Sequence, residues 1–162
     1  MGEYKITESS MDFIVNTNDT YHIEDSEIYK NIGFNIKTVE FIRCKDSNLL
    51  FVEAKSSFAN PANPSKLFED EISDICEKFI HSLSLLSAIK VGIISETLPL
   101  DLNYRENVLL KFVLVIRNHQ IEWCYPVQLA IEQALPVHIK KIWKPEILVI
   151  NQEEAQKYNM VE

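Results

Sequence analysis

Glycine is scarce in this sequence: Gly2, Gly33 and Gly92 are the only three in 162 residues. They are too few and too scattered to build a phosphate-cradling loop or a dinucleotide fingerprint. The three cysteines, Cys44, Cys76 and Cys124, never form a C-x-x-C pair, so neither a disulfide framework nor a zinc knuckle is indicated and core thiols are expected. No G-x-S-x-G elbow and no H-E-x-x-H helix occurs, which removes serine hydrolases and zincins of those types. No apolar run reaches the 18 or so residues of a membrane span, and the first ten residues, MGEYKITESS, lack the regions of a signal peptide. A cytoplasmic protein without membrane association is expected. Positive charge is also short: 16 Lys and Arg against 24 Asp and Glu leave a net charge of -8. Such a chain repels polyanions, so handling nucleic acid would require a local basic stripe, a metal, or a partner that delivers the substrate.

What is present is an ordinary globular composition, 46% hydrophobic and 25% charged, in a length that suits one domain over residues 1–162. The most informative stretches are residues 37–45, KTVEFIRCK, and 48–57, NLLFVEAKSS. Both are rich in β-branched and aromatic residues, and turn-favouring Asp46-Ser47 lies between them, so they read as an antiparallel hairpin. With Lys45 opposite Asn48, facing residues have numbers summing to 93. That register sets Ile42 against Phe51, Glu40 against Glu53 and Thr38 against Lys55. Because side chains alternate along a strand, Glu40, Glu53 and Lys55 then share one face.

Two carboxylates held about 5 Å apart across a hairpin repel each other. A divalent cation between them would relieve this, and Lys55 adds positive charge one pleat further on. A solvated amphipathic face would also tolerate two glutamates and a lysine. Against that reading, Ile42, Leu49 and Phe51 share the face, while Leu50, Val52 and Ala54 make the other face apolar too, as in a strand buried on both sides of an α/β sheet.

An acidic residue on one strand followed by Glu53-Ala54-Lys55 at the end of the next resembles the core of the PD-(D/E)XK nuclease superfamily. The resemblance is strengthened by the order of elements over roughly residues 21–150. In that family the first acidic position is normally aspartate, and Glu40 stands there instead. The resemblance implies a restriction-endonuclease-like α/β fold in which Glu40 and Glu53 hold Mg²⁺ or Mn²⁺ and Lys55 assists the reaction. It also implies a further acid from an N-terminal helix, for which Glu24 or Glu27 in HIEDSEIY would serve, and polar residues of the following helix, Lys78 and His81, overlooking the carboxylates. The stretch is similar as well to small bacterial proteins with an IEAKSS-like strand, a likeness that implies a fold without an activity.

Around the hairpin the chain alternates helix and strand. Met11, Phe13 and Val15 alternate as in a short strand, and YHIEDSEIYKNIG reads as a short helix stopping at Gly33. After the loop FANPANPS, with Ser65 or Asn63-Pro64 as cap, Phe68, Ile72, Ile75, Phe79, Leu83 and Leu86 form one apolar helical stripe reaching about Lys90. Its acidic residues, Asp74 and Glu77 among them, read as a solvated face. Residues 92–107 start as a possible strand and become a connection. LLKFVLVIR, residues 109–117, is a central strand, and Pro126 is placed to open the next helix, which Pro136 breaks or kinks before VHIKKIW. Lys140, Lys141 and Lys144 make the one compact basic patch, either a helix end suited to its dipole or a nucleic-acid docking surface. Residues 146–150 give a last strand, with Asn151 and Glu154 as a capping box for a final helix. The expected fold is a mixed central β-sheet flanked by helices. Two functions fit: metal-dependent phosphodiester hydrolysis, alone or as a subunit of a nucleic-acid-processing or defence system, and a catalytically silent binding or assembly module of the same fold. Both leave room for nucleic acid, a protein partner or a homo-oligomer.

Overall fold

The computed structural model describes residues 2–33, 35–63, 65–103 and 107–162. A five-stranded mixed sheet runs in the order β3-β4-β5-β6-β7, formed by Thr20–His22, Phe41–Lys45, Asn48–Lys55, Leu109–Ile116 and Glu146–Asn151. The β4–β5 ladder runs from Phe41↔Val52 to Lys45↔Asn48, the register the sequence predicts. Its turn is the two residues Asp46 and Ser47, with φ of 50° and 63°, left-handed values that match the twist of a hairpin. Asp and Ser fill positions that would suit glycine. β6 and β7 then add in parallel, after helical crossovers.

One face of this sheet carries the larger core. Helix α2, Lys66–Lys90, starts at Ser65, whose hydroxyl accepts the Phe68 amide at 3.3 Å. Its inward stripe packs on Ile42, Phe51, Phe112 and Leu114, with the Phe79 and Phe112 rings stacked at 4.5 Å. Ser82 lies inside this stripe without being orphaned, because its Oγ accepts the Val39 amide at 2.9 Å. Helix α4, Ile121–Ala134, lies beside α2. It begins five residues before Pro126, so the proline sits within the helix and does not open it. Pro136 follows the end as expected, and a π-helical turn, Ile139–Trp143, leads into β7. The strand expected at the start of residues 92–107 does not form: the chain runs without regular structure from residue 92 to residue 99 and then enters the short α3, Leu100–Asn103; Tyr104, Arg105 and Glu106 lie outside the described residues, as does Pro64 in the predicted cap.

The other face is not covered mainly by helices. Strands β1, Glu3–Glu8, and β2, Met11–Asn16, form a separate hairpin. It drives Met11, Phe13 and Val15 against Phe41, Val52, Ala54, Val113 and Val115. Helix α5, Gln152–Lys157, adds Ala155 to this second core, and Asn151 caps it by accepting the Glu154 amide at 3.0 Å. The strand predicted from Met11, Phe13 and Val15 is therefore real, and its partner β1 is the element the pattern did not show. Helix α1, Glu27–Ile32, ends at Gly33, where φ is 100°, a conformation that glycine adopts at little cost. No helix among the described residues is long and apolar enough to cross a membrane.

Candidate metal centre at the strand ends

Four carboxylates converge at one end of the sheet. Glu53 lies near the C-terminal end of β5, and Glu40 immediately precedes antiparallel β4 at the same end. Glu24 follows β3 closely, since β3 runs antiparallel to β4 with His22 opposite Phe41. Glu8 closes β1, and the turn after it is fixed over β5 because Ser9 Oγ donates to the Ala54 carbonyl at 3.2 Å. Carboxylate oxygens of Glu8, Glu24 and Glu40 all lie within 4.8 Å of one another.

Glu40 and Glu53 are 6% and 1% exposed. Ionised carboxylates are expensive to bury, so their protons are held tightly. Burial raises the Glu40 pKa, and the Glu53 charge, a hydrogen bond with Glu24 and the Glu24 charge raise it further, to about 9. Burial also raises Glu53, but Lys78 and then Lys55 offset part of the effect and leave it at about 7. Glu8 moves upward too, through burial and the nearby Glu24. One oxygen of Glu40 and one of Glu53, the Oε2 atoms, are buried without a hydrogen-bond partner among the described residues.

The lysines divide the other sites between them. Lys78 of α2 places Nζ 2.6 Å from Glu53 Oε1. Burial disfavours the Lys78 charge, yet the Glu53 carboxylate more than compensates and its pKa is raised. Lys55 instead approaches Asp74 at 3.8 Å, and Asp74 also binds Lys37 at 2.9 Å. Asp74 is thus not the purely solvated residue the sequence implies: burial alone would raise its pKa, but the Lys37 hydrogen bond and neighbouring lysine charges hold it below the usual value. Lys37 spans to Glu77 as well, at 2.9 Å.

The structure brings together Glu24, Glu40, Glu53 and Lys78, with Lys55 on the α2 face one pleat beyond Glu53. It corrects one detail of their arrangement. The ladder begins at Phe41, and the Glu40 amide donates to the Val52 carbonyl at 3.0 Å, so Glu40 is not a ladder partner of Glu53, nor Thr38 of Lys55. The chain is irregular from residue 35 to residue 40, which leaves Glu40 free to turn toward Glu24. Glu27 lies apart, 82% exposed and paired to Lys30 at 3.2 Å. His81 holds the chain: its Nδ1 accepts the Lys37 amide at 3.1 Å. Lys140, Lys141 and Lys144 are exposed and precede β7, whose Glu146 lies in the row of Lys111 and Leu50, three rows from that of Glu53, Leu114 and Val149. At about 3.3 Å per residue that is some 10 Å along the strands, toward the opposite end of the sheet.

Two residues of this centre escaped the sequence reading. Glu8 arrives on the hairpin whose first strand carried no recognised signal. His22, at the end of β3, has Nε2 buried 4.0 Å from Glu8 Oε1 and without a hydrogen-bond partner among the described residues. A cavity of about 320 Å³ lined by Glu24, Tyr29, Lys30, Gly33 and Ile36 opens beside the cluster and gives it an approach. A larger one, about 520 Å³ between α2 and α4, contains none of these carboxylates.

No known protein family, curated protein or solved structure matches the chain.

Proposed function

We propose that the protein hydrolyses phosphodiester bonds of nucleic acid with the help of a divalent cation, as a nuclease or as the nuclease-like subunit of a larger nucleic-acid-processing or defence system. The observation that carries this reading is the convergence of Glu8, Glu24, Glu40 and Glu53 at one end of the sheet with two lysines beside them. Buried oxygens of Glu40 and Glu53 without partners among the described residues, beside a set of hard donors, suit Mg²⁺ or Mn²⁺. Glu8, Glu24 and Glu40 would hold the cation, with Glu53 next to them. A divalent cation bound there supplies charge neutralisation at the phosphate and a more acidic water.

The chain's own groups do the rest. Lys55 and Lys78 provide positive charge where a pentavalent phosphorane-like state becomes more anionic. Asp74 sets the resting position of Lys55, and Glu53 sets that of Lys78. The cavity beside Glu24 admits substrate from the α1 side. The restriction-endonuclease-like arrangement belongs to this reading, supported by the sequence of α1, β4, β5, α2 and a β6 parallel to β5.

A second reading, a catalytically silent binding or assembly module, is favoured by one observation: Lys78 already neutralises Glu53, and Asp74 already engages Lys55. Nicking of plasmid, single-stranded DNA and RNA with Mg²⁺ and Mn²⁺ separates the two. The nuclease reading requires metal-dependent cleavage that Lys55→Ala and Glu40→Gln abolish while the protein remains folded. No cleavage of any substrate, or cleavage that survives in both variants, leaves the silent module.

A further inference from the structure

Two surface features lie side by side where α4 ends, and each has what the other lacks. The groove of about 520 Å³ between α2 and α4 has an apolar floor that includes Phe68, Ile72 and Cys76, and the charged residues lining it are Glu69 and Glu77. Both carboxylates are at the surface, and Glu77 is shared with Lys37. Pro136 lines the groove too, and three residues later the π-helical turn Ile139–Trp143 begins. The turn is tied to the groove by the Lys140 amide, which donates to the Pro136 carbonyl at 3.2 Å. It leaves Ile142 and Trp143, 72% and 44% exposed, in solvent among the exposed Lys140, Lys141 and Lys144. π-Helical turns are rare and concentrate at functional positions.

An apolar knob ringed by cations is the complement of an apolar groove rimmed by carboxylates. A second copy of the chain supplies both pieces. Because knob and groove adjoin, a two-fold axis near Pro136 sets each knob in the other copy's groove at once, which closes the assembly and doubles the area of a single contact. Net charge favours the same face. Copies that each carry -8 repel, and the compact basic patch is the surface that another copy's acidic rim approaches with attraction. We propose that the protein forms a two-fold homodimer in which Ile142 and Trp143 of each copy fill the α2–α4 groove of the other, with Lys140, Lys141 and Lys144 facing Glu69 and Glu77. The patch lies toward the end of the strands away from the carboxylate cluster, so the contact leaves the candidate metal centre open and does not depend on the proposed activity.

Sedimentation equilibrium of the full chain, from micromolar to near-millimolar protein, reads the assembly, and thermal unfolding shows that each variant is folded. The proposal expects a monomer–dimer equilibrium that Trp143→Ala weakens by ~10-fold or more, as loss of an aromatic anchor does. Lys141→Glu and Glu69→Lys should each weaken it by ~10-fold, and the protein carrying both changes should recover most of the loss, which a misfolded variant does not do. A monomer at every concentration, a dimer indifferent to Trp143→Ala, or charge reversals that add without recovery would overturn the proposal. Growth into open polymers would overturn it as well, because knob and groove would then join head to tail without a two-fold axis. A single-stranded oligonucleotide that binds a monomeric wild type and is released by Lys141→Glu would assign the patch to nucleic acid instead.

Discussion

Removing the Lys78 ammonium isolates the electrostatics of the centre, and Lys78→Met does so while keeping most of the apolar stem. Breaking a buried ion pair by deleting one partner typically costs about 3–5 kcal/mol because a charge is stranded. Here the stranded group can protonate instead, and that limits the penalty. The Glu53 pKa is about 7 in the folded protein, above the ordinary carboxyl value. The folded state therefore binds the proton more tightly than the unfolded chain, and this group's contribution to stability declines as pH rises from about 4.5 toward 7. Without Lys78 the folded pKa moves higher still, so the decline continues upward. Below pH 7 both proteins carry a protonated Glu53 and differ little. Above it, the wild type ionises against Lys78 while the variant cannot, and the difference grows by about 1.4 kcal/mol per pH unit. Lys78→Met should thus be nearly neutral at pH 6 and destabilising by about 2 kcal/mol at pH 8.5, lowering Tm there by about 4–8 °C for a chain of this size. Urea and thermal denaturation at both pH values measure it. An equal loss at pH 6 and pH 8.5 would refute the reasoning, since the lysine would then act through packing, and no loss at either would mean that the pair does not form.

Other consequences are quickly checked. Glu40→Gln should raise metal-free stability at pH 8 by up to about 5 kcal/mol, because the unfolded chain no longer gains by ionising a group that the fold keeps protonated; denaturation at pH 5 should show a much smaller gain. Millimolar Mn²⁺ should raise the wild-type Tm at pH 8 and have little effect on Glu40→Gln, by mass action on the native state. Ser65→Ala should cost about 1 kcal/mol by urea denaturation, since it removes the cap of α2. Replacing Lys140, Lys141 and Lys144 with alanine should weaken nucleic-acid binding and flatten its salt dependence if that patch docks substrate. Because the patch lies toward the other end of the strands, cleavage at saturating substrate should be unchanged.

Much of the frame was legible because patterns of two and of three to four residues are strong where strands and helices are long. The β4–β5 register followed from two side-chain alternations and a two-residue turn, and α2 from Phe68 through Leu86. The short elements were not legible in the same way. β1 alternates weakly, and its turn is Ser9-Ser10, with φ of 49° and 60°, in place of the glycine or asparagine that marks such turns. Missing β1 meant missing Glu8, and with it the reason one sheet face needs no large helix. Pro126 misled for a related reason: a proline near a helix start is favoured at the first position, yet tertiary packing of Cys124, Val127 and Ile131 holds α4 helical on both sides of it. Register brought Glu40 and Glu53 to the same end of the hairpin but not opposite each other, because the ladder stops at Phe41↔Val52, and Lys78 as the partner of Glu53 depends on how α2 crosses the sheet, which no local pattern encodes. Whether Glu24 or Glu27 joined the site likewise turned on where α1 began: Ser26 caps it, leaving Glu24 before the helix and Glu27 on its outer face.

The central claim is that these carboxylates are kept together to hold a divalent cation. Anomalous diffraction from crystals soaked in MnCl₂ at pH 8 tests it most directly. The account predicts one strong Mn²⁺ peak between Glu8, Glu24 and Glu40, within about 2.0–2.6 Å of oxygens of at least two of them. Peaks confined to exposed surface carboxylates, with Glu40 Oε2 still unpartnered and Lys78 still on Glu53, would contradict it.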